Sequence, residues 1–137
     1  MTRPIHGIAA VALLALVVGS KPAAHAEGDK VTPLRTEKLP NVPGKSLTAV
    51  VVNYAPGGKS TSHYHAGSVM AYVLTGQIRS ENSATGPARV YKGGESFFEP
   101  PGSEHLVSEN ASTTEPASLL AVFVADDGAQ LTTFGKK

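Results

Sequence analysis

His63 and His65 stand two residues apart in Ser60-Thr61-Ser62-His63-Tyr64-His65. On a β-strand that spacing puts both imidazoles on one face; on a helix it would turn them roughly 200° apart and deny them a shared ligand. The surrounding residues are β-rich, so the two rings converge. His105 lies downstream, just beyond the turn residues Pro100-Pro101-Gly102. Three imidazoles brought together are a donor set for one divalent transition metal, and Fe, Mn, Ni, Cu and Zn all suit it. The chain has no cysteine, which removes disulfides, zinc–thiolate sites and thiol catalysis together.

The other two of its five histidines, His6 and His25, fall in a segment expected to be removed. Arg3 gives a short basic start, residues 8–18 are an unbroken apolar run, and Ala24-His25-Ala26 supplies the small-x-small pattern of a signal-peptidase site. The run has the length of a signal-peptide core and falls short of the roughly 20 residues that span a bilayer. Residues 1–26 therefore read as a signal peptide, and the protein as exported, periplasmic or secreted. Residues 27–137 would keep only His63, His65 and His105, with ten basic and eleven acidic residues. That near-neutral balance gives no electrostatic reason to expect nucleic acid, or a membrane surface after signal cleavage, as partner.

The elements that must position the histidines are short strands. Residues 27–45 are polar and dotted with Pro33, Pro40 and Pro43, as in an arm or edge strand. Residues 47–54, 69–75, 88–92, 96–99, 105–108 and 117–125 are β-rich runs. Gly and Pro clusters punctuate them, among them Pro56-Gly57-Gly58 and Gly93-Gly94. Residues 83–87 read as a hairpin loop, and residues 127–135 as a tail that returns to the sheet. No sustained helical period occurs beyond the signal peptide. The fold class is all-β, a sandwich or barrel over residues 46–137. Phe97, Phe98, Leu106, Val107, Leu119, Leu120, Val122 and Phe123 read as core and barrel lining, Glu104 and Lys92 as solvated.

Two motifs in order sharpen this. Gly57, five residues, His63-x-His65 and then Gly76 resembles the first motif of the cupins. Gly94, five residues, Pro100-x-Gly102, two residues and His105 resembles the second. The resemblance implies a double-stranded β-helix, a jelly-roll-like barrel, with His63, His65 and His105 as ligands of a mononuclear centre. It also implies a homodimer, for which the arm at residues 27–43 is suited.

The chain departs from the pattern at Val69, which stands where the family's first motif carries a glutamate ligand. Three neutral imidazoles leave the +2 charge of the ion uncompensated and up to three positions open on a six-coordinate metal. Such a centre favours an anionic, chelating substrate, with Val69 giving an apolar wall. At the second motif's asparagine position stands Glu109, with Asn110 next. Glu99 precedes Pro100, where an apolar residue is usual; turned inward it would serve as a fourth ligand or an acid/base. Arg79, on alternate counting from Val69, falls on the inward face, where it would bind a substrate carboxylate, unless a bulge at Gly76 reverses the parity.

Three functions suit these residues. One is a metal-dependent oxidoreductase, a dioxygenase similar to the quercetinase-like single-domain cupins, with Fe(II) in the site and Glu99 moving a proton. Another is a non-oxidative isomerase, lyase or decarboxylase using the metal as a Lewis acid on a carbonyl or carboxylate. The ion expected is Fe(II), with Mn, Ni, Cu or Zn as alternatives. The third is a metal or small-ligand binding protein without turnover. Fold alone does not choose among them.

Overall fold

The computed structural model describes residues 28–135. The expected signal peptide lies outside the described residues. Ten strands follow in order: β1 (Asp29–Lys38), β2 (Lys45–Tyr54), β3 (His63–His65), β4 (Ser68–Thr75), β5 (Gln77–Asn82), β6 (Gly86–Lys92), β7 (Ser96–Glu99), β8 (Glu104–Asn110), β9 (Ala117–Asp126) and β10 (Thr132–Phe134). They form two five-stranded antiparallel sheets, β1-β2-β9-β4-β7 and β10-β3-β8-β5-β6. The all-β reading is borne out.

Alternation decides which side chains meet between the sheets. In β4, Val69, Ala71 and Val73 are buried, while Met70, Tyr72 and Leu74 face out. In β9, Ala117, Leu119, Ala121, Phe123 and Ala125 are buried. Val50 and Tyr54 complete the apolar inner face of the first sheet, and Ile78 joins it from the second. Full burial of side chains such as Val69, Val73 and Ile78 contributes roughly 1.5–3 kcal/mol each.

The second sheet turns a different face inward. His63, His65, Ser80, Asn82, His105, Ser108 and Asn110 are all buried, and all lie on β3, β5 or β8. One inner face is therefore oil and the other a row of polar groups. Glu99 on β7 is a buried acid contributed by the apolar sheet.

Several expectations about the core need correction. Phe98 and Leu106 are half exposed on the outer faces rather than in the core, because the inward positions of their strands are taken by Glu99 and His105. Leu120 and Val122 alternate with the buried Leu119, Ala121 and Phe123 and are only partly buried, and Val107 also lies outside the core cluster.

Candidate metal centre

His63 lies directly opposite His105 in the β3–β8 pairing, and His65 opposite Thr132 in the β3–β10 pairing. β3 is thus held on both edges, and the returning tail is β10. Glu104, expected in solvent, locks this arrangement: it accepts hydrogen bonds from Ser62 Oγ (2.5 Å) and Tyr64 Oη (2.9 Å). The three imidazoles are buried and their ligand atoms lie within 4.8 Å of one another.

Hydrogen bonds fix which nitrogens face the centre. His63 Nδ1–H donates to the Thr61 carbonyl (2.6 Å) and His65 Nδ1–H to the Leu131 carbonyl (3.1 Å). A carbonyl only accepts, so each neutral ring carries its proton on Nδ1 and leaves Nε2 bare. The two Nε2 atoms face each other at 3.1 Å. Two lone pairs at that distance repel, and a cation between them resolves the conflict. The donor set therefore fits a divalent transition metal. Each ring also has a phenyl group edge-on: Phe134 at His63 (5.6 Å), Phe123 at His65 (5.1 Å) and Phe97 at His105 (5.9 Å between centroids). These edge-on contacts help to hold the imidazole planes.

Burial lowers the proton affinity of all three histidines, holding His65 down to about 4 and His105 to about 3. They are neutral near pH 7, as ligation requires. Burial pushes Glu99 the other way, up to about 7, against a hydrogen bond from Asn82 that lowers it. Its Oε2 lies 3.1 Å from His105 Nδ1 and 3.8 Å from His65 Nε2. With the histidines neutral these are contacts of a carboxyl with imidazole rather than ion pairs.

A pH dependence follows for metal-stripped protein. Unfolded histidine titrates near 6.5, whereas His65 and His105 titrate near 4 and 3 in the fold. Between those values the unfolded chain binds more protons, so acid favours unfolding. Glu99 works in the opposite sense between 7 and 4.5, where the folded state holds the extra proton. The histidines outnumber it, and stability is expected to fall by on the order of 3 kcal/mol from pH 6.5 to 4. Urea melts in excess chelator at the two pH values measure this; a flat or rising stability towards acid contradicts it.

Of the other site expectations, Glu99 does turn inward, beside the histidines. Val69 is buried in the core, opposite Glu99 across the β4–β7 pairing. Arg79 is not brought to the site. It lies on the outer face, where Nε donates to Glu109 Oε1 at 3.0 Å. Gly76 adopts φ +71 and the β4–β9 register shifts between Val73 and Thr75, so the parity reverses and Ile78, Ser80 and Asn82 point in. Alternate counting accordingly missed Ser80, whose hydroxyl meets His105 Nε2 at 2.8 Å, and Asn82, which donates to Ser103 Oγ (2.9 Å) and towards Glu99. Asn110 is buried and donates to the carbonyls of Ala55 and Glu115, tying loops one residue beyond the motif position.

The centre opens into a cavity of about 240 Å³ between the sheets. Val50, Val52, Ala71, Leu119, Ala121 and Leu131 make up much of its wall, and the exposed Val31 and Phe134 stand at its mouth.

The family described as Cupin domain matches residues 50–123, more than half of the chain. The chain is a cupin. This cupin is 33% identical over 110 residues to Germin-like protein subfamily 2 member 2 of Arabidopsis thaliana, a match covering 76% of this chain and 49% of the relative. It thus spans about half the length of that curated relative. Among solved structures it resembles a DMSP lyase from Ruegeria pomeroyi, at TM-score 0.64 and 20% identity, over 88% of this chain and 58% of that one. An oxalate oxidase bound to the substrate analogue glycolate superposes at TM-score 0.62 and 21% identity, over 89% and 62%. A cupin-like protein from Thermotoga maritima superposes at 0.59 and 21% identity, over 80% and 77%. At these identities the likeness to solved structures speaks for the fold alone.

Proposed function

We propose that this cupin is a metal-dependent oxidoreductase of the dioxygenase type, acting on a small organic molecule with two chelating oxygens and an apolar body. The supporting observation is the contrast within one cavity. Its polar end gathers His63, His65, His105 and Glu99, and much of the remaining wall is aliphatic and aromatic. Among the described residues, no lysine or arginine lines this cavity, so a substrate anion would be balanced by the ion itself. That favours an enolate or catecholate with an apolar body over a highly charged acid. Bound Fe(II), or a related ion, would supply electron transfer between chelated substrate and dioxygen.

The chain's own residues would do the rest. The three imidazoles hold the ion, and the phenyl rings of Phe97 and Phe123 keep the centre dry. Glu99, whose burial brings its proton exchange close to neutral pH, takes the proton that a chelating hydroxyl must lose. The same carboxyl supports a second reading, a non-oxidative isomerase or lyase in which Glu99 is the base and the ion a Lewis acid.

The test is to load the full chain with Fe(II) without oxygen, add catechols and β-diketones, and record the absorption of the chelate. Oxygen is then admitted and its uptake followed. Stoichiometric uptake supports the dioxygenase; turnover with Zn(II) in the absence of oxygen moves the assignment to the second reading. Binding of these probes with no turnover under either condition would leave a binding protein.

Export and homodimer formation belong to the same proposal. The dimer is supported by an apolar row, Met70, Tyr72, Leu74 and Phe98, exposed on the outer face of β4 and β7. Mass spectrometry and light scattering on protein recovered from an exporting host check both: an intact N-terminus sinks the first and a monomer the second.

A further inference from the structure

We propose that Glu99 is a fourth protein ligand of the metal centre, delivered from β7 across the cavity from the strands that carry the histidines. The proposal deepens the reading of the three histidines as a metal site and rests on it. Its basis is where one carboxylate oxygen sits. Glu99 Oε2 is 3.1 Å from His105 Nδ1 and 3.8 Å from His65 Nε2, and His65 Nε2 is 3.1 Å from His63 Nε2. Neighbouring donors on a six-coordinate ion with bonds of about 2.1 Å lie roughly 3 Å apart. The carboxylate thus stands at donor spacing from His105 and close to His65, while the donor atoms that all lie within 4.8 Å of one another are those of the three histidines, so ligation draws the Glu99 side chain a further step towards His63. His105 is turned to suit, because its Nε2 meets Ser80 Oγ at 2.8 Å and Nδ1 is the nitrogen it presents to the carboxylate.

Three further observations point the same way. The Glu99 side chain is 3% exposed, and its protein hydrogen bond, from Asn82 Nδ2, is long at 3.4 Å. Among the described residues, no lysine or arginine lines the cavity to pair with it. A buried carboxylate costs several kcal/mol unless a cation or strong hydrogen bonds compensate it, on the order of what a paired metal ion supplies. The residue opposite it on β4 is Val69, which is itself buried. Paired residues of adjacent strands present their side chains to the same face. A carboxylate at position 99 therefore enters the same space as one at position 69 would. The consequence for the centre is a net charge of +1 in place of +2, and two open positions on a six-coordinate ion in place of three; Glu99 would hold the ion in the substrate-free centre and be released as the proton acceptor when a chelating substrate takes its place.

Mn(II) is the probe, with the full chain. Its affinity is measured by titration calorimetry, and the number of water molecules on the ion by water-proton relaxation. Glu99→Gln keeps the shape and removes the anionic donor. It is expected to weaken Mn(II) binding by about 10–100-fold or more, and to raise relaxation by one exchangeable water. Glu99→Val is expected to behave likewise, and the transposed double variant Glu99→Val/Val69→Glu to recover at least about tenfold of the lost affinity. Because the transposition regains function rather than losing it, it separates ligation from a folding defect. An affinity within twofold of wild type together with unchanged relaxation in Glu99→Gln overturns the proposal. His63→Ala is the control: if it abolishes Mn(II) binding while Glu99→Gln does not weaken it, only the carboxylate assignment falls. If His63→Ala binds Mn(II) as wild type does, the three-histidine reading falls with it.

Discussion

His105→Ala is expected to lose metal binding and, with it, nearly all of the stability that metal confers. His105 is one of three imidazoles whose ligand atoms lie within 4.8 Å of one another. Removing a partner that merely orients a ligand costs about 10–100-fold in metal affinity, and removing a ligand outright should cost more. A ligand bound only by the fold stabilises it by about 4 kcal/mol when present at a thousand times its dissociation constant. At roughly 4 °C per kcal/mol for a domain of this size, wild type should melt about 15 °C higher with metal than with chelator. The variant should show almost no such difference. The metal-free forms should differ less. The substitution leaves Ser80 Oγ without its 2.8 Å contact to Nε2 and Glu99 without its 3.1 Å contact to Nδ1. Unmet buried polar groups of that kind cost about 1–3 kcal/mol. Thermal melts of both proteins, with and without metal, separate the two contributions. An equal metal-induced shift in the two would remove His105 from the centre.

The histidines could be read from the sequence because their chemistry is local. Spacing two on a strand fixes a shared face whatever the barrel does elsewhere. Most strands were legible for the same reason: residues 96–99 were expected as a strand and are β7, and the run at 117–125 became Ala117–Asp126. The run that was not picked out, β5, is instructive. Its sequence, Gln77-Ile78-Arg79-Ser80-Glu81-Asn82, has one β-branched residue, Ile78, and no aromatic, too little to announce a strand. Two of its inward positions, Ser80 and Asn82, are spent on the environment of His105 and Glu99 rather than on the core. Local propensity is weakest where the site makes demands of its own. Arg79 failed for a geometric reason: a single turn at Gly76 reverses every inward and outward assignment after it. The place of Glu99 needed a register. The sequence shows a carboxylate before Pro100 and a valine at position 69, but only the pairing of β4 with β7 sets them opposite each other.

Gly67→Ala should be among the most destabilising single-methyl changes in the chain, and its effect should reach the metal. Gly67 joins β3 to β4, two residues beyond His65. It packs so tightly on β9 that a Cβ there would overlap the Val124 carbonyl oxygen and come within 2.7 Å of Ala125 Cβ. The obstacle is backbone in the middle of a paired sheet, since Val124 is also the register partner of Ser68. It cannot rotate away as a long side chain would, so β4 must separate from β9 or the β3–β4 connection must shift. Overpacking typically costs about 1–3 kcal/mol, and a clash with fixed backbone belongs at or above the upper end. Gly93→Ala is the matched comparison: a Cβ there would meet only the Leu74 carbonyl oxygen, at 3.5 Å, an ordinary contact. It should change stability by no more than about 0.5 kcal/mol. The damage at position 67 should not stay local. His65 Nδ1 depends on its 3.1 Å bond to the Leu131 carbonyl, and moving the connection displaces that ring from His63 Nε2. Metal affinity should therefore fall about tenfold or more in Gly67→Ala and remain unchanged in Gly93→Ala. Urea melts in chelator and Mn(II) titrations of the two variants measure both effects. A loss of stability in Gly67→Ala with wild-type metal affinity would mean that β3 and β10 hold His65 without help from β9.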